Sequence, residues 1–327
     1  MEDPTPEMRG GRSEPTAKLN PDQAPSVKDI HSSRIARLGT CKKRSRDMAR
    51  YLLEVCESLR PGPVQDDLVK LTYNVTHCSN WLLFHNYYTI DQIKLAGLIS
   101  CKKHLLCPVC ARIRALKSIQ TYMDKYKQVI TEKPNLKPIF ITLTVKNGPD
   151  LDERFNHLKT AFTKLSHRRK NARNKSYSDT EFGKIDGAVF SYETTNNGKG
   201  WHPHLHMLAL ADTWLDQSKL AAEWESITGD SYIVDIRRIR GEPIDGFAEV
   251  FKYALKFGSL SLEDNFQAYL SFRGKRLQGA LGSLWGVQVP EVMTDDLPAD
   301  LPFEEWFYEY RHGTYTRQDP AGRRSRR

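Results

Sequence analysis

The chain has 327 residues, 39% hydrophobic and 10% aromatic, enough for one large domain or two modest ones with a packed core. Its formal net charge of +9 suits a phosphate-binding surface, and equally suits solubility alone. No stretch approaches the ~20 apolar residues of a membrane span. The opening MEDPTPEMRGG is acidic and polar, unlike a secretory signal, and six cysteines in a chain this long point to a cytoplasmic protein with a metal site rather than a disulfide scaffold.

Residues 1–45 are rich in Pro, Gly, Ser, Lys and Arg without an apolar period, and read as a disordered basic arm. Arg46 to Leu59 reads as a helix that Pro61-Gly62-Pro63 breaks. Leu68 to Lys127 carries a helical pattern and most of the cysteines, so 46–135 is expected to be a helical, Cys-rich segment. Pro138 to Val145 is β-branched and aromatic, and predicts a strand. An amphipathic helix follows over Leu151 to Lys170, then a strand over Gly187 to Glu193, a turn at Asn196 to Gly200 and a strand over His204 to Leu210. The last two should pair as a hairpin. Lys219 to Ile227 is helical, Tyr232 to Arg238 a strand, and Phe247 to Phe257 a helix. This order predicts an α+β domain over 136–290, with a largely antiparallel sheet and helices on one face. Residues 291–327 read as an acidic, aromatic tail of unassigned structure that ends in a basic run.

Two stretches carry candidate chemistry. Trp201-His202-Pro203-His204-Leu205-His206-Met207 holds three of the ten histidines. Strand residues two apart share a face, so His204 and His206 project together while Leu205 and Met207 enter the core. Across the turn, Glu193 can join them as a third ligand; nitrogen and carboxylate ligands suit Mn²⁺ and Zn²⁺, and an open site filled by water and phosphate oxygen suits Mg²⁺. A polar strand face without metal is the competing explanation, and His202 is left unassigned. On the later helix, Glu249, Lys252, Tyr253 and Lys256 fall on one face. A phenol is a poor nucleophile until a cation or base lowers the cost of ionising it. Lys256 is placed to stabilise a phenolate or phosphate, and Glu249 to activate a water. A surface helix with Glu-Lys pairs would look the same.

Upstream, Cys101-Lys102-Lys103-His104-Leu105-Leu106-Cys107-Pro108-Val109-Cys110 contains a Cys-x-x-Cys knuckle, and Cys78 precedes it. Four thiolates make a closed tetrahedral Zn²⁺ site. His104 or His77 could replace one of them, and reduced, buried cysteines are the plain alternative. Cys41 and Cys56 fit no ligand spacing. The run from His167 to Lys175, including Arg168, Arg169 and Lys170, is either a non-specific DNA contact or a solvated loop.

Taken together, Phe140 to Thr144, then His204-Leu205-His206, then Tyr253 to Lys256 resemble, in order and spacing, the HUH endonuclease superfamily. The closest likeness is to rolling-circle replication initiators of bacterial plasmids, in the branch with one nucleophilic Tyr and a Glu four residues before it. Phe272-Arg273-Gly274-Lys275-Arg276-Leu277 resembles the basic end of that branch. The resemblance covers about Cys78 to Gly286. It implies a ferredoxin-like, RRM-like sheet and a metal-dependent nick of one origin strand by Tyr253. The products would be a 5′-phosphotyrosine and a 3′-hydroxyl for a host polymerase, with hydrolysis assisted by Glu249. The substrate would be single-stranded or extruded DNA. Lys252, Arg273, Lys275 and Arg276 would join the DNA contacts, and a host helicase would unwind the duplex, because no Gly-x-x-x-x-Gly-Lys loop is present. Three rivals remain at this stage: a transposase or relaxase of the same superfamily, a non-catalytic zinc-stabilised DNA-binding regulator, and a metal-dependent hydrolase of small molecules.

Overall fold

The computed structural model describes residues 25–174, 180–239, 241–253 and 260–318, with only the backbone of Tyr253. Its helices and strands run α1 (Val27–Ser58), α2 (Pro63–His77), β1 (Trp81–Tyr87), β2 (Gln92–Leu98), α3 (Pro108–Glu132), β3 (Lys137–Thr144), α4 (Leu151–Arg173), β4 (Ile185–Asn196), β5 (Trp201–Ala211), α5 (Gln217–Thr228), β6 (Val234–Arg238), α6 (Pro243–Tyr253), α7 (Leu262–Phe272), β7 (Gln278–Gly282), β8 (Glu304–Arg311) and β9 (Thr314–Gln318). The fold is α+β, with a five-stranded sheet in the order β6-β3-β5-β4-β7 and a four-stranded one in the order β2-β1-β8-β9. Every pairing in both sheets is antiparallel.

The five-stranded sheet is covered on both faces, where the sequence pattern suggested one. Ile139, Ile141, Leu205 and Met207 face α4 and α5 and pack on Phe155, Leu158, Phe162 and Trp224. Phe140, Val189, Leu208 and Leu210 face the other way, against Tyr122 and Val129 of α3 and Phe247, Val250 and Phe251 of α6. The cause is legible in β5: Leu205 to Ala211 is an unbroken buried run, as a strand sandwiched between two layers requires. Asp150 caps α4 by accepting from the Glu153 N–H at 2.8 Å. Trp224 is fully buried and donates from its indole to the Thr144 carbonyl at 2.8 Å, which fixes α5 on β3. Removing a core ring such as Phe155 as alanine would cost about 3–5 kcal/mol.

The hairpin of β4 and β5 closes as expected, with Glu193 opposite His204 and Thr195 opposite His202. Its turn lies against residue 148: Gly200 has φ +89, and a Cβ there would stand 2.6 Å from the Gly148 carbonyl oxygen. Gly282, at φ +61 where β7 ends, is as constrained, since a Cβ would run into the Asp186 carbonyl.

Three further expectations are corrected. The arm 1–45 is helical from Val27 on, while 1–24 lie outside the described residues. Ser26 and Asp29 form a reciprocal capping box, each accepting the other's N–H at 3.2 Å. Ile35, Leu38, Met48 and Leu52 then carry a buried stripe through Pro/Ser/Lys/Arg-rich sequence that looked unstructured. The segment 68–127 is not helical throughout, because Trp81–Tyr87 and Gln92–Leu98 form a hairpin. The stretch after 290 is not a loose tail: β8 pairs with β1, in register from Trp81 opposite Glu309 to Asn86 opposite Glu304, and β9 extends the sheet. Among the described residues no helix is long and apolar enough to cross a membrane.

Candidate active site

The strand alternation puts His202, His204 and His206 on one face of β5, and Leu205 and Met207 in the α4-side core. His206 is buried, at 8% exposure, and both its nitrogens are engaged: Nε2 lies 2.9 Å from Glu193 Oε2, and Nδ1 lies 3.2 Å from the Thr142 hydroxyl. Thr142 is the register partner of His206 on β3, so the contact follows from sheet geometry. His204 Nε2 lies 3.4 Å from the Thr195 hydroxyl, and its ring is near parallel to that of His206, with centroids 5.9 Å apart. His202 follows at 4.2 Å from His204, and burial lowers its pKa below the ordinary histidine value. The row therefore unites Glu193 with His206 directly, and sets His204 beside them, turned toward Thr195. Two imidazoles and a carboxylate are donor types that suit Mn²⁺, and Glu193 and His206 are in contact, but among the described residues the cysteines alone bring three or more such atoms within 4.8 Å of one another.

Helix α6 approaches this face. Gly246, Phe247, Val250 and Phe251 are buried toward the sheet, and Ser191, the register partner of His206 on β4, donates its hydroxyl to the Val250 carbonyl at 2.5 Å. The backbone of Tyr253 lies one turn beyond that anchor, at the end of α6. Lys256 lies outside the described residues. Glu249, one turn before Tyr253, pairs with Arg237 of β6 at 2.5 Å. The Arg237 guanidinium in turn lies over the Phe140 ring, 4.5 Å from its centroid, and Phe140 sits 5.9 Å from the His206 ring. A cavity of about 380 Å³, lined by Phe140, Arg237 and Glu249 among others, opens at this point.

The cysteine cluster is a second constellation. Cys78 follows α2, Cys101 follows β2, and Cys107 and Cys110 open α3, yet their four sulfurs lie within 4.8 Å of one another. Three of the separations are 3.5, 3.5 and 3.6 Å. A tetrahedron with Zn–S bonds of about 2.3 Å has edges of about 3.8 Å, so the spacing fits zinc. The hydrogen bond from Cys101 is the main cause that pulls the Cys78 and Cys107 thiols well below their usual range. His77 is directed to the Tyr73 carbonyl at 2.9 Å, which leaves Cys78 as the fourth sulfur. Lys42 of α1, fully buried, donates to the carbonyls of Thr76 at 2.9 Å and Cys78 at 2.6 Å. Its charge offsets that of the thiolates in a place where an isolated ammonium would be costly. Ser45 also donates to Cys107 Sγ, at 3.5 Å.

The sequence-predicted DNA contacts divide. Arg169 is corrected: it is buried, it donates to the carbonyls of Ile185 (2.7 Å) and Asp186, and burial lowers its pKa to about 10. It ties α4 to β4 and is not available to phosphate. Lys275 is ion-paired with Asp152 at 2.6 Å. Arg168 lies 3.7 Å from Glu223 and donates to Ser226 at 3.2 Å. Arg276 donates to the Gln278 carbonyl at 2.8 Å while remaining exposed, and Lys170, Lys252 and Arg273 are exposed. Sequence reasoning missed Thr142 as a partner of His206, Ser191, Arg237 and Lys42. The readable signals were positional: Thr142 and Ser191 share the histidine face by strand period, and Lys42 stands one turn after Leu38 in the buried stripe of α1.

Comparison with known proteins agrees with the resemblance. The Rep_1 family, described as replication protein, matches residues 92–302, more than half of the chain. A "Protein rep" of Streptococcus pneumoniae serotype 2 (strain D39 / NCTC 7466) is 29% identical over 180 residues, covering 50% of this chain and 53% of the relative. A "Protein rep" of Lactiplantibacillus plantarum is 24% identical over 192 residues, covering 54% and 56%. The chain spans about half the length of these curated relatives. No solved structure matches.

Proposed function

Because this chain belongs to the Rep_1 family of replication proteins, we propose that it starts rolling-circle replication of a bacterial plasmid by nicking one origin strand. The observation that carries this reading is the tie between Ser191 and the Val250 carbonyl, at the sheet position opposite His206. It brings the end of α6, and so the backbone of Tyr253, to the histidine face.

In this mechanism His204, His206 and Glu193 hold Mg²⁺ or Mn²⁺, which when bound offsets the negative charge that grows on the scissile phosphate. Thr142 orients the His206 ring through Nδ1. The Tyr253 oxygen attacks phosphorus and loses its proton. The bond from phosphorus to the 3′ oxygen breaks, and that oxygen gains a proton and leaves as the priming 3′-hydroxyl. The strand's 5′ phosphate stays on Tyr253 as an ester, which keeps the energy of the broken bond. Lys256 stabilises the phenolate or the phosphate. At termination Glu249 takes a proton from water as the water attacks the second ester, so that the protein is released. Arg168, Lys170, Lys252, Arg273 and Arg276 add affinity for single-stranded or extruded DNA that falls with salt. A host polymerase extends the 3′ end and a host helicase opens the duplex. Zn²⁺ in the cysteine cluster is structural, and the setting is the bacterial cytoplasm.

The test is a denaturing gel of the protein incubated with labelled origin strand and Mn²⁺. The wild type should carry label covalently, and Tyr253→Phe should carry none while still binding the strand. Nicking at the normal rate by Tyr253→Phe would remove Tyr253 from the role and end this reading.

A further inference from the structure

Beyond the face that carries the histidines, the edge of the five-stranded sheet holds a second pocket that none of the chemistry above uses. It encloses about 330 Å³ where β3 begins and β5 and β6 end, a volume suited to one small ligand. Pro138, Ile139, Ala211 and Pro243 give it an apolar floor, and Trp214 forms a wall. Trp214 is 48% exposed, so that about half of the ring is open to solvent at the pocket. The Arg238 guanidinium lies over the Trp214 ring, 5.4 Å from its centroid. Lys137 lines the same pocket and is exposed, as are Arg238 and the rim carboxylate Asp212.

The pocket borders the cavity beside the Arg237–Glu249 pair, around the β6 edge from the histidine face. Arg238 and Ile239 line both it and the neighbouring 380 Å³ cavity that contains Phe140, Arg237 and Glu249. Along β3, Thr142, which contacts His206, stands four residues from Pro138, about 13 Å in an extended strand. An exposed aromatic face with a guanidinium against it and a lysine beside it is the chemistry of a stacking platform for an unpaired base, with cations for its phosphate.

We propose that this pocket takes one unstacked nucleotide of the cut strand, its base against Trp214 and its phosphate on Arg238 and Lys137. The inference rests on the nicking reading and adds to it a fixed path for the strand, from the histidine face past Arg237 to Trp214. The pocket thus sets which stretch of single strand lies across the site.

The test measures binding of a fluorescein-labelled thymidine homopolymer of roughly 15 nucleotides to full-length protein carrying Tyr253→Phe, which keeps the strand uncut. Adding Trp214→Ala should weaken binding about tenfold, equivalent to about 1.4 kcal/mol. Trp214→Phe, which keeps a ring, should recover most of that loss. Arg238→Ala should lower the slope of log affinity against log salt by about 0.7, the share of one phosphate on a single strand. Melting temperatures of all variants should match the parent, because both side chains are exposed. Binding of Trp214→Ala within twofold of the parent, with an unchanged melting temperature, overturns the pocket alone. Free thymidine monophosphate displacing the strand at equal concentration overturns it too, since the pocket would then be a mononucleotide site. A parent that binds no single strand removes the nicking reading, and the pocket falls with it.

Discussion

The cysteine cluster and the histidine face solve the same problem, gathering polar ligands in a folded chain, in opposite ways. The cluster draws on three separate places, one residue after α2, one after β2 and two at the start of α3, and closes them into a compact knot of four sulfurs. Nothing in it is left open for a substrate. The histidine face takes its row from one strand and its remaining members from the strands on either side, so its members are spaced by the sheet repeat rather than drawn together. His206 is braced from both sides, whereas His204, one step toward the sheet end, makes a longer contact with Thr195. A structural site can be complete by itself. The histidine face is spread along its strand and lies under α6, whose Val250 carbonyl accepts from Ser191.

The largest effect should come from breaking the closed site. Cys107→Ser should reduce bound zinc from one equivalent to none by elemental analysis. It should also strip hydrogen-exchange protection from β1, β2 and α1 while the five-stranded sheet keeps its own, because structural zinc contributes about 10–16 kcal/mol to such sites. Full protection with no zinc would mean that the sulfurs are merely packed. The open site should fail in parts. Glu249→Ala should nick at close to the normal rate while release of the adduct by water slows by about 10²–10⁴-fold in single-turnover assays. Loss of nicking as well would make Glu249 a structural partner of Arg237. Thr142→Val keeps the shape of the strand and removes the brace on His206, and should weaken Mn²⁺ binding by about 10–100-fold in a calorimetric titration. An unchanged metal affinity would confine Thr142 to packing.

The smallest effect is one of pH, and it should separate the two regions. His31 of α1 is packed against Phe84 and Trp306 beside the four-stranded sheet. Burial, and then the charges of Arg34 and Arg317, lower its pKa to about 4. The unfolded chain binds the proton near pH 6.5 and the folded chain only near 4, so stability is full above 6.5 and falls as pH drops through that window. At pH 5 the loss should be about 1–2 kcal/mol relative to pH 7. It should be seen as a fall in melting temperature that His31→Phe abolishes. The same acid sensitivity in His31→Phe would assign it to another group, the thiolates first.

Much of the layout of the histidine face could be read directly. His204, His206 and Glu193 follow from the period of two and an Asn-Gly turn, and the cysteine spacing announced its cluster. What escaped reading depends on partners distant in the chain. Thr142 looks like any β-branched strand residue until register sets it against His206. Lys42 looks like a surface lysine until the carbonyls of Thr76 and Cys78 close around it. Arg169 stands in a run of basic residues that suggested phosphate, but the 3.6-residue period turns it inward, one turn after Leu165 of the α4 core. The start of α1 was hidden by composition, although Ser26-x-x-Asp29 was there to be seen. The strands β8 and β9 had no local cue to their place, because the neighbour that organises them lies more than two hundred positions earlier.

That last separation bears on how the molecule is made. When β1 emerges from the ribosome it can pair with β2 at once, but its other edge stays bare until Glu304–Arg311 has been translated. Tyr315, whose hydroxyl donates to the Ser79 carbonyl beside Cys78, arrives later still. A product truncated before that point would display an unpaired strand edge next to reactive thiols, the kind of surface that proteases and chaperones recognise. Completion of this sheet therefore waits until the β8–β9 hairpin has been translated.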